Sequence, residues 1–501
     1  MNRPGDNTTD TLRDDPNAAQ HTAAAALQAD DLTTPARSHW PTAVWFAAIA
    51  MFLAAAFLPL PAGLTRSGAF SIAGLGSAVV FWASGVQDPS MSGLLIVTLL
   101  SLLGVMPFEQ AVAGFGAEFV WLLVATFLIA QGMVDSGLGR RIALGILRAA
   151  GGRATAVLLA LLGVIVVLSF MVPTAAGRIS MILPVCLGII GAAGITPPSN
   201  FAKAMLIGTS HASIMAGVGL PTAAGATVYA VGAFQTLIGV RWTYLGWLAA
   251  FFPLVVIFVL ALWRILLWVF PPERADLVGG AVYVREELER LGRLTVAERK
   301  MLAVFAGMYV LWIIGPRWDI TTAQAGTVGA LALMLPGMRL LSWDRALAAV
   351  RWNVIILFAV SLSLASALDR SGAGKWLTDG TLGILERPSP LAAVLVLAPL
   401  IVLVRIGFVN NLGMIAVGLP VAFTLAKGWG LNPTWVGLMV VLTAGPGFLL
   451  PTQTPSGMIT MGYEYYATQD YLRSGLPATI VLLLLTWSAA LFYWPLLGFR
   501  P

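Results

Sequence analysis

Apolar residues in this chain gather into long continuous runs instead of marking one face of an amphipathic pattern. Eleven runs are close to the roughly 17–25 residues that a helix needs to cross a bilayer. They are 43–60, 71–86, 91–106, 119–134, 206–234, 244–270, 301–315, 321–337, 353–369, 433–460 and 476–497. Inside lipid only helices and closed barrels satisfy their own backbone, and these runs lack the short alternating segments of a barrel. Two more stretches, 154–194 and 389–426, are too long for one crossing and are broken in the middle. They read as re-entrant hairpins. The pattern predicts an all-α polytopic membrane protein with about 11 transmembrane helices plus two re-entrant hairpins.

The rest of the chain divides around these runs. Residues 1–38 are polar, with Asp14-Asp15 and Asp30-Asp31, and read as a disordered tail. They are too acidic, and put too many residues before the first run, for a signal peptide. Residues 39–270 form a first membrane half, an extra helix followed by one repeat. Residues 271–300 are a charged linker that includes Arg285-Glu286-Glu287-Leu288-Glu289-Arg290, and 301–501 form the second half.

The halves repeat. Phe108-Glu109-Gln110-Ala111-Val112-Ala113 leads, one span later, to Ser136-Gly137-Leu138-Gly139-Arg140. Trp343-Asp344-Arg345-Ala346-Leu347-Ala348 leads in the same way to Ser371-Gly372-Ala373-Gly374-Lys375. Both pairs are offset by 235 positions, so the register holds through a charge, a glycine pair and a base. Leu183-Pro184-Val185 and Leu220-Pro221-Thr222 are echoed by Leu419-Pro420-Val421 and Leu450-Pro451-Thr452.

Composition and charge set the direction of threading. Of 501 residues, 58% are hydrophobic and 10% charged, far from the balance of a soluble chain. The net charge of +6 lies between the apolar runs, which points to membrane orientation and away from nucleic acid. With a cytoplasmic N-terminus, Arg140, Arg141, Arg148, Arg153, Lys203 and the linker's bases all fall inside, and the C-terminus falls outside. Each repeat then has five crossings, and the second enters inverted, the layout of secondary transporters. The single cysteine, Cys186, excludes an intrachain disulfide, and three histidines argue against a His/Cys metal site.

Candidate chemistry sits at the breaks. The first hairpin turns at Val172-Pro173-Thr174-Ala175-Ala176-Gly177-Arg178, and the second at Gly407-Phe408-Val409-Asn410-Asn411-Leu412-Gly413. A helix restarting at mid-membrane presents unpaired N–H groups to an anion. Each hairpin is followed by a span with its own break, near Gly219-Leu220-Pro221-Thr222 and near Pro451-Thr452-Gln453-Thr454-Pro455. Unwound backbone there frees carbonyls for a cation. Thr174, Ala175, Arg178, Asn410, Asn411, Thr452 and Thr454 are the candidate substrate contacts. Arg178 and Arg405 flank the tips, as substrate charge partners or as pins to backbone carbonyls. His211 is the candidate proton carrier, against a packing role.

At these residues the chain resembles the divalent anion–sodium symporter family, from about residue 71 to the C-terminus. The resemblance rests on the Phe108-Glu109-x-Ala111 to Gly137-Leu138-x-x-Arg141 pattern, on the tips, and on Pro451-Thr452-Gln453-Thr454-Pro455 followed by Asp470-Tyr471-Leu472-Arg473. It implies a homodimer in the cell (inner) membrane, an elevator-type motion, and dicarboxylate, citrate or sulfate as substrate. It also implies sodium held between each tip and its partner loop, here by Asn411, Thr222, Pro451 and Thr454. The family's Ser-Asn-Thr tips are altered: the first tip reads Thr174-Ala175-Ala176, and the second keeps Asn411 but has Leu412 in place of the threonine. The expected function is secondary transport of small organic anions, di- or tricarboxylates, coupled to sodium or run as exchange. A cation/proton antiporter and a sulfate-like permease are the rivals within the superfamily. A membrane-embedded transferase is the rival class, and it lacks the clustered acids or histidines it would need.

Overall fold

The computed structural model describes residues 40–374, 376, 377, 388–408 and 411–501. The expected tail, 1–38, and the candidate contact Asn410 lie outside the described residues. Among the described residues there are no strands beyond one isolated bridge, Arg153 to Asp276, and the protein is all-α.

In the first half come α1 (Trp40–Phe57), α2 (Arg66–Ser84), α3 (Pro89–Leu102), the short α4 (Phe108–Val112), α5 (Glu118–Ser136) and α6 (Leu138–Ala149). The first hairpin follows as α7 (Ala154–Ser169) and α8 (Ala175–Ala192), then a broken span, α9 (Asn200–Gly219) and α10 (Gly225–Ile238), then α11 (Tyr244–Val269). The linker carries α12 (Val278–Arg290). The second half gives α13 (Val296–Ile314), α14 (Thr322–Ala332), α15 (Trp343–Ala349) and α16 (Trp352–Arg370). Its hairpin is α17 (Pro390–Ile406) and α18 (Asn411–Trp429), its broken span α19 (Pro433–Ala444) and α20 (Pro455–Met461), and its last helix α21 (Thr468–Ser488).

Eight of these helices are long and apolar enough to cross a membrane, and six more are shorter and apolar. Every one of the eleven predicted spans falls on helix, and two of them are the paired segments α9/α10 and α19/α20. The packing repeats with the sequence. α5 packs on α14 as α3 packs on α16, so each half lends a helix to the other. α10 packs on α18 as α20 packs on α8, which crosses each hairpin with the broken span of the opposite half.

Four of these helices, α4, α6, α12 and α15, lie outside the apolar runs. α6 buries Leu138, Ala143, Leu144 and Leu147 on one face and turns Arg140, Arg141 and Arg148 away, a true amphipathic stripe. The linker is likewise more than a charged connection. Its Leu277 N–H donates to the Gly152 carbonyl at 2.6 Å, and Ala275 accepts from Ala154 at 2.9 Å. Glu287 and Glu298 pair with Arg140 and Arg141, so α12 and the start of α13 strap α6 and the base of the first hairpin. Charge that looks solvated in sequence is spent here on neighbours. The last linker residues already belong to α13, because Thr295 and Glu298 form a reciprocal cap at its start.

Candidate functional site

The first tip is shaped by three residues. Pro173 keeps Val172 out of helix, and Thr174 is extended at φ −135°, ψ 140°. The Thr174 hydroxyl then accepts from the Gly177 N–H at 3.0 Å and starts α8. Ala175 opens that helix, and its carbonyl accepts from Ser213 at 3.2 Å.

Arg178, one turn into α8, is fully buried. Its Nη1 donates to the Val172 carbonyl in the tip and to the Ala223 carbonyl in the following loop, both at 2.7 Å. Its Nε and Nη2 donate to the Ser213 hydroxyl at 3.1 Å and the Ser213 carbonyl at 2.7 Å. The guanidinium therefore stitches tip to loop. We call such a junction a seam.

The second seam is built the same way from the opposite direction. Arg405 precedes its tip, on α17, and is also buried. Its Nη1 donates to the Phe408 carbonyl at the tip, and its Nη2 to the Gln453 carbonyl in the loop at 2.7 Å. Gln453 completes the junction: its amide donates to the Arg405 carbonyl at 3.2 Å and accepts from the Leu449 and Leu450 N–H groups at 3.1 and 2.9 Å. Thr454 is the counterpart of Thr174, accepting from Gly457 N–H at 3.2 Å to cap α20.

The loops have their own account of broken backbone bonds. Thr227 donates to the Gly217 carbonyl at 2.6 Å, and the Trp247 indole to the Val218 carbonyl at 3.0 Å. Thr222 is buried. In the second loop Pro451 is buried and Thr452 is exposed. A Cβ on Gly445 would lie 3.1 Å from Val218 and 3.8 Å from Ile415, so the two loops and the start of α18 adjoin. A Cβ on Gly475 would lie 1.8 Å from the Phe448 carbonyl oxygen. Gly475→Ala is therefore expected to cost about 1–3 kcal/mol or more by forcing the second loop off α21, read as a lower melting temperature in detergent.

His211 lies in α9 with neither ring nitrogen bonded to a described residue. Its ring meets Tyr471 edge-on at 4.6 Å and Phe448 at 5.0 Å. Beside it a chain of hydroxyls crosses between the halves: Ser210 reaches Ser456 at 3.2 Å and Tyr471 at 3.4 Å, and Ser456 reaches Thr454 at 3.4 Å.

The structure thus brings Thr174, Ala175, Arg178 and Thr222 to one seam, and Pro451, Thr452 and Thr454 to the other, while Asn411 opens α18 just past the second tip. Arg178 differs from its reading as a substrate contact, because its donors go to backbone and Ser213 in a fully buried position. Ser213, Gln453 and Tyr471 were missed. Gln453 lay inside a quoted motif, but only its two-way bonding distinguishes it from its neighbours.

The sodium:sulfate symporter transmembrane region, as a family model, matches residues 39–499. The chain belongs to this family. It is a transporter rather than an enzyme, as its relatives are. A membrane protein of Cupriavidus necator is 30% identical over 480 residues, covering 92% of this chain and 93% of that one. The sodium-dependent dicarboxylate transporter SdcS of Staphylococcus saprophyticus is 26% identical, covering 82% of this chain and 83% of its own. Among solved structures, the YdaH transporter of Alcanivorax borkumensis matches with a TM-score of 0.53 at 14% identity, over 92% of this chain and 99% of that chain. That likeness is one of fold.

Proposed function

We propose that the protein is a secondary active transporter carrying small organic anions across the cell membrane, with sodium as its coupling ion at the second seam. The observation that carries this is the pair of seams. In each half a hairpin tip is tied by a buried arginine to the unwound loop that follows, and the two loops adjoin. Discontinuous helices meeting in this way are how secondary transporters build substrate and ion sites. The sodium-dependent dicarboxylate transporters among its relatives support carboxylates as the cargo and sodium as the driver.

An elevator-type motion fits the same geometry. Each hairpin packs on the broken span of the other half, so the two hairpins and two broken spans can travel as one block past α5, α14, α3 and α16. The protein works as a homodimer in the inner membrane, N-terminus and linker cytoplasmic, C-terminus opposite.

Uptake of labelled carboxylates into proteoliposomes, with and without a sodium gradient, tests the function. Accumulation above protein-free vesicles is expected. No accumulation of any carboxylate or of sulfate, and no ligand-induced thermal shift, would remove the proposal. Orientation is tested separately with Arg290→Cys and Pro501→Cys, labelled from each side of intact cells. Opposite accessibility is expected, and labelling from one side only would remove the inverted threading.

A further inference from the structure

We infer that the second hairpin holds one acyl chain of a membrane phospholipid in a groove along its length, with the end of the chain against the hairpin tip. The inference goes beyond the transport reading and depends on neither its cargo nor its coupling ion.

A groove of about 250 Å³ runs between the two arms of this hairpin, α17 and α18, and along α19 of the same half, with Val79 of α2 at its edge. On α18 it extends from Met414 to Trp429, about 22 Å of helix. One leaflet's share of the hydrocarbon core is about 15 Å, so a single chain lying along the hairpin fits its length. Small residues keep the groove open. Gly418 and Ala422 both line it, and a Cβ on Gly418 would meet only Val440 at 3.7 Å and Met414 at 3.9 Å.

Every lining residue is apolar. Water would find no side-chain hydrogen-bond partner there, and an empty cavity of this size would forfeit dispersion contacts along its walls. At the rim Leu400, Val404 and Val421 are exposed, and α18 is long and apolar enough to cross a membrane. The groove is therefore continuous with the lipid-facing surface of the hairpin, and the medium that reaches it is hydrocarbon. The N-terminal tail does not fit, because its acidic pairs Asp14-Asp15 and Asp30-Asp31 would meet no partner there.

Two aromatic residues set the orientation. Trp429 lines the groove at the base of the hairpin, and tryptophan favours the headgroup level. Phe408 lines it at the tip. The headgroup stays beside Trp429, and the methyl end packs on Phe408, whose carbonyl receives Arg405 at the second seam. Bound lipid thus supports the second tip from its outer side.

The test uses purified full-length protein, stripped of lipid in detergent and titrated with dipalmitoyl phosphatidylethanolamine, with bound lipid counted by native mass spectrometry. One lipid per protomer is expected to bind at least about tenfold more tightly than any further lipid, and to raise the melting temperature. Gly418→Leu, which fills the groove, should lose that lipid and the rise while melting like the lipid-free parent. Val421→Trp alters only the exposed rim, so it serves if Gly418→Leu does not fold, and it should weaken the same lipid at least several-fold. A parent that holds no lipid above the rest overturns the inference. So does a tight lipid that survives unchanged in the variants that fold.

Discussion

Arg178→Gln is expected to give a protein that is poorly produced and melts early, before any question of affinity arises. The guanidinium satisfies three backbone carbonyls, of Val172, Ala223 and Ser213, in a position with no access to water. Each charged hydrogen bond to such an acceptor is worth about 1.5–3 kcal/mol, and an orphaned buried carbonyl costs a similar amount. Glutamine restores part of one contact, so a loss of at least about 3 kcal/mol is expected. Arg178→Lys should recover little, because a point charge cannot bridge tip and loop as a planar fork does. Melting in detergent, together with the yield of monodisperse protein, measures the effect. A variant that melts like the parent yet binds no anion would return Arg178 to the substrate.

That expectation shows where sequence reasoning reached and where it stopped. The breaks at Pro173 and at Gly407 were legible, because proline and glycine restrict or free the backbone locally, whatever surrounds them. Thr174 and Thr454 were marked as substrate contacts, although each also caps a helix, with a glycine three positions on. The two arginines stayed open between substrate charge partner and pin to backbone carbonyls. Arg178 follows its tip and Arg405 precedes its own, so no spacing rule relates them, and they become equivalent only in space. A sequence lists five donors on each but does not say which carbonyls receive them. Ser213 and Gln453 were invisible for the same reason: each works by bonding in two directions at once. The strap of α12 was hidden differently. Its charges look like a solvated face until Arg140 and Arg141, more than a hundred residues earlier, are found opposite them.

With sodium as the proposed coupling ion, the seams also set how many ions each turnover can use. A hard cation needs several oxygens at once, carbonyl or hydroxyl, with their lone pairs turned inward. At the first seam the carbonyls of Val172 and Ala223 already receive Arg178, and Ala175 and Ala176 add no side-chain oxygen. A sodium ion brought to those same carbonyls would also face a fixed positive charge in a medium of low dielectric. Thr222 is the one side-chain hydroxyl of that loop, too few to make up a cation's oxygens. At the second seam Arg405 takes Phe408 and Gln453, but the Asn411 carbonyl group stands at the helix start. The Pro451 carbonyl receives only a long contact, 3.4 Å from the Thr454 N–H. One sodium, held from the Asn411 side, is therefore expected to drive each turnover. Initial uptake measured against sodium at fixed pH should rise with a Hill coefficient of about one, since that coefficient is bounded by the number of coupled sites. Asn411→Ala should abolish the sodium dependence, whereas Thr222→Val should leave it in place. A Hill coefficient clearly above one in the parent would mean that a second ion finds its oxygens at the first seam in spite of Arg178. Arg178 would then have to release the tip carbonyl at some stage of the cycle.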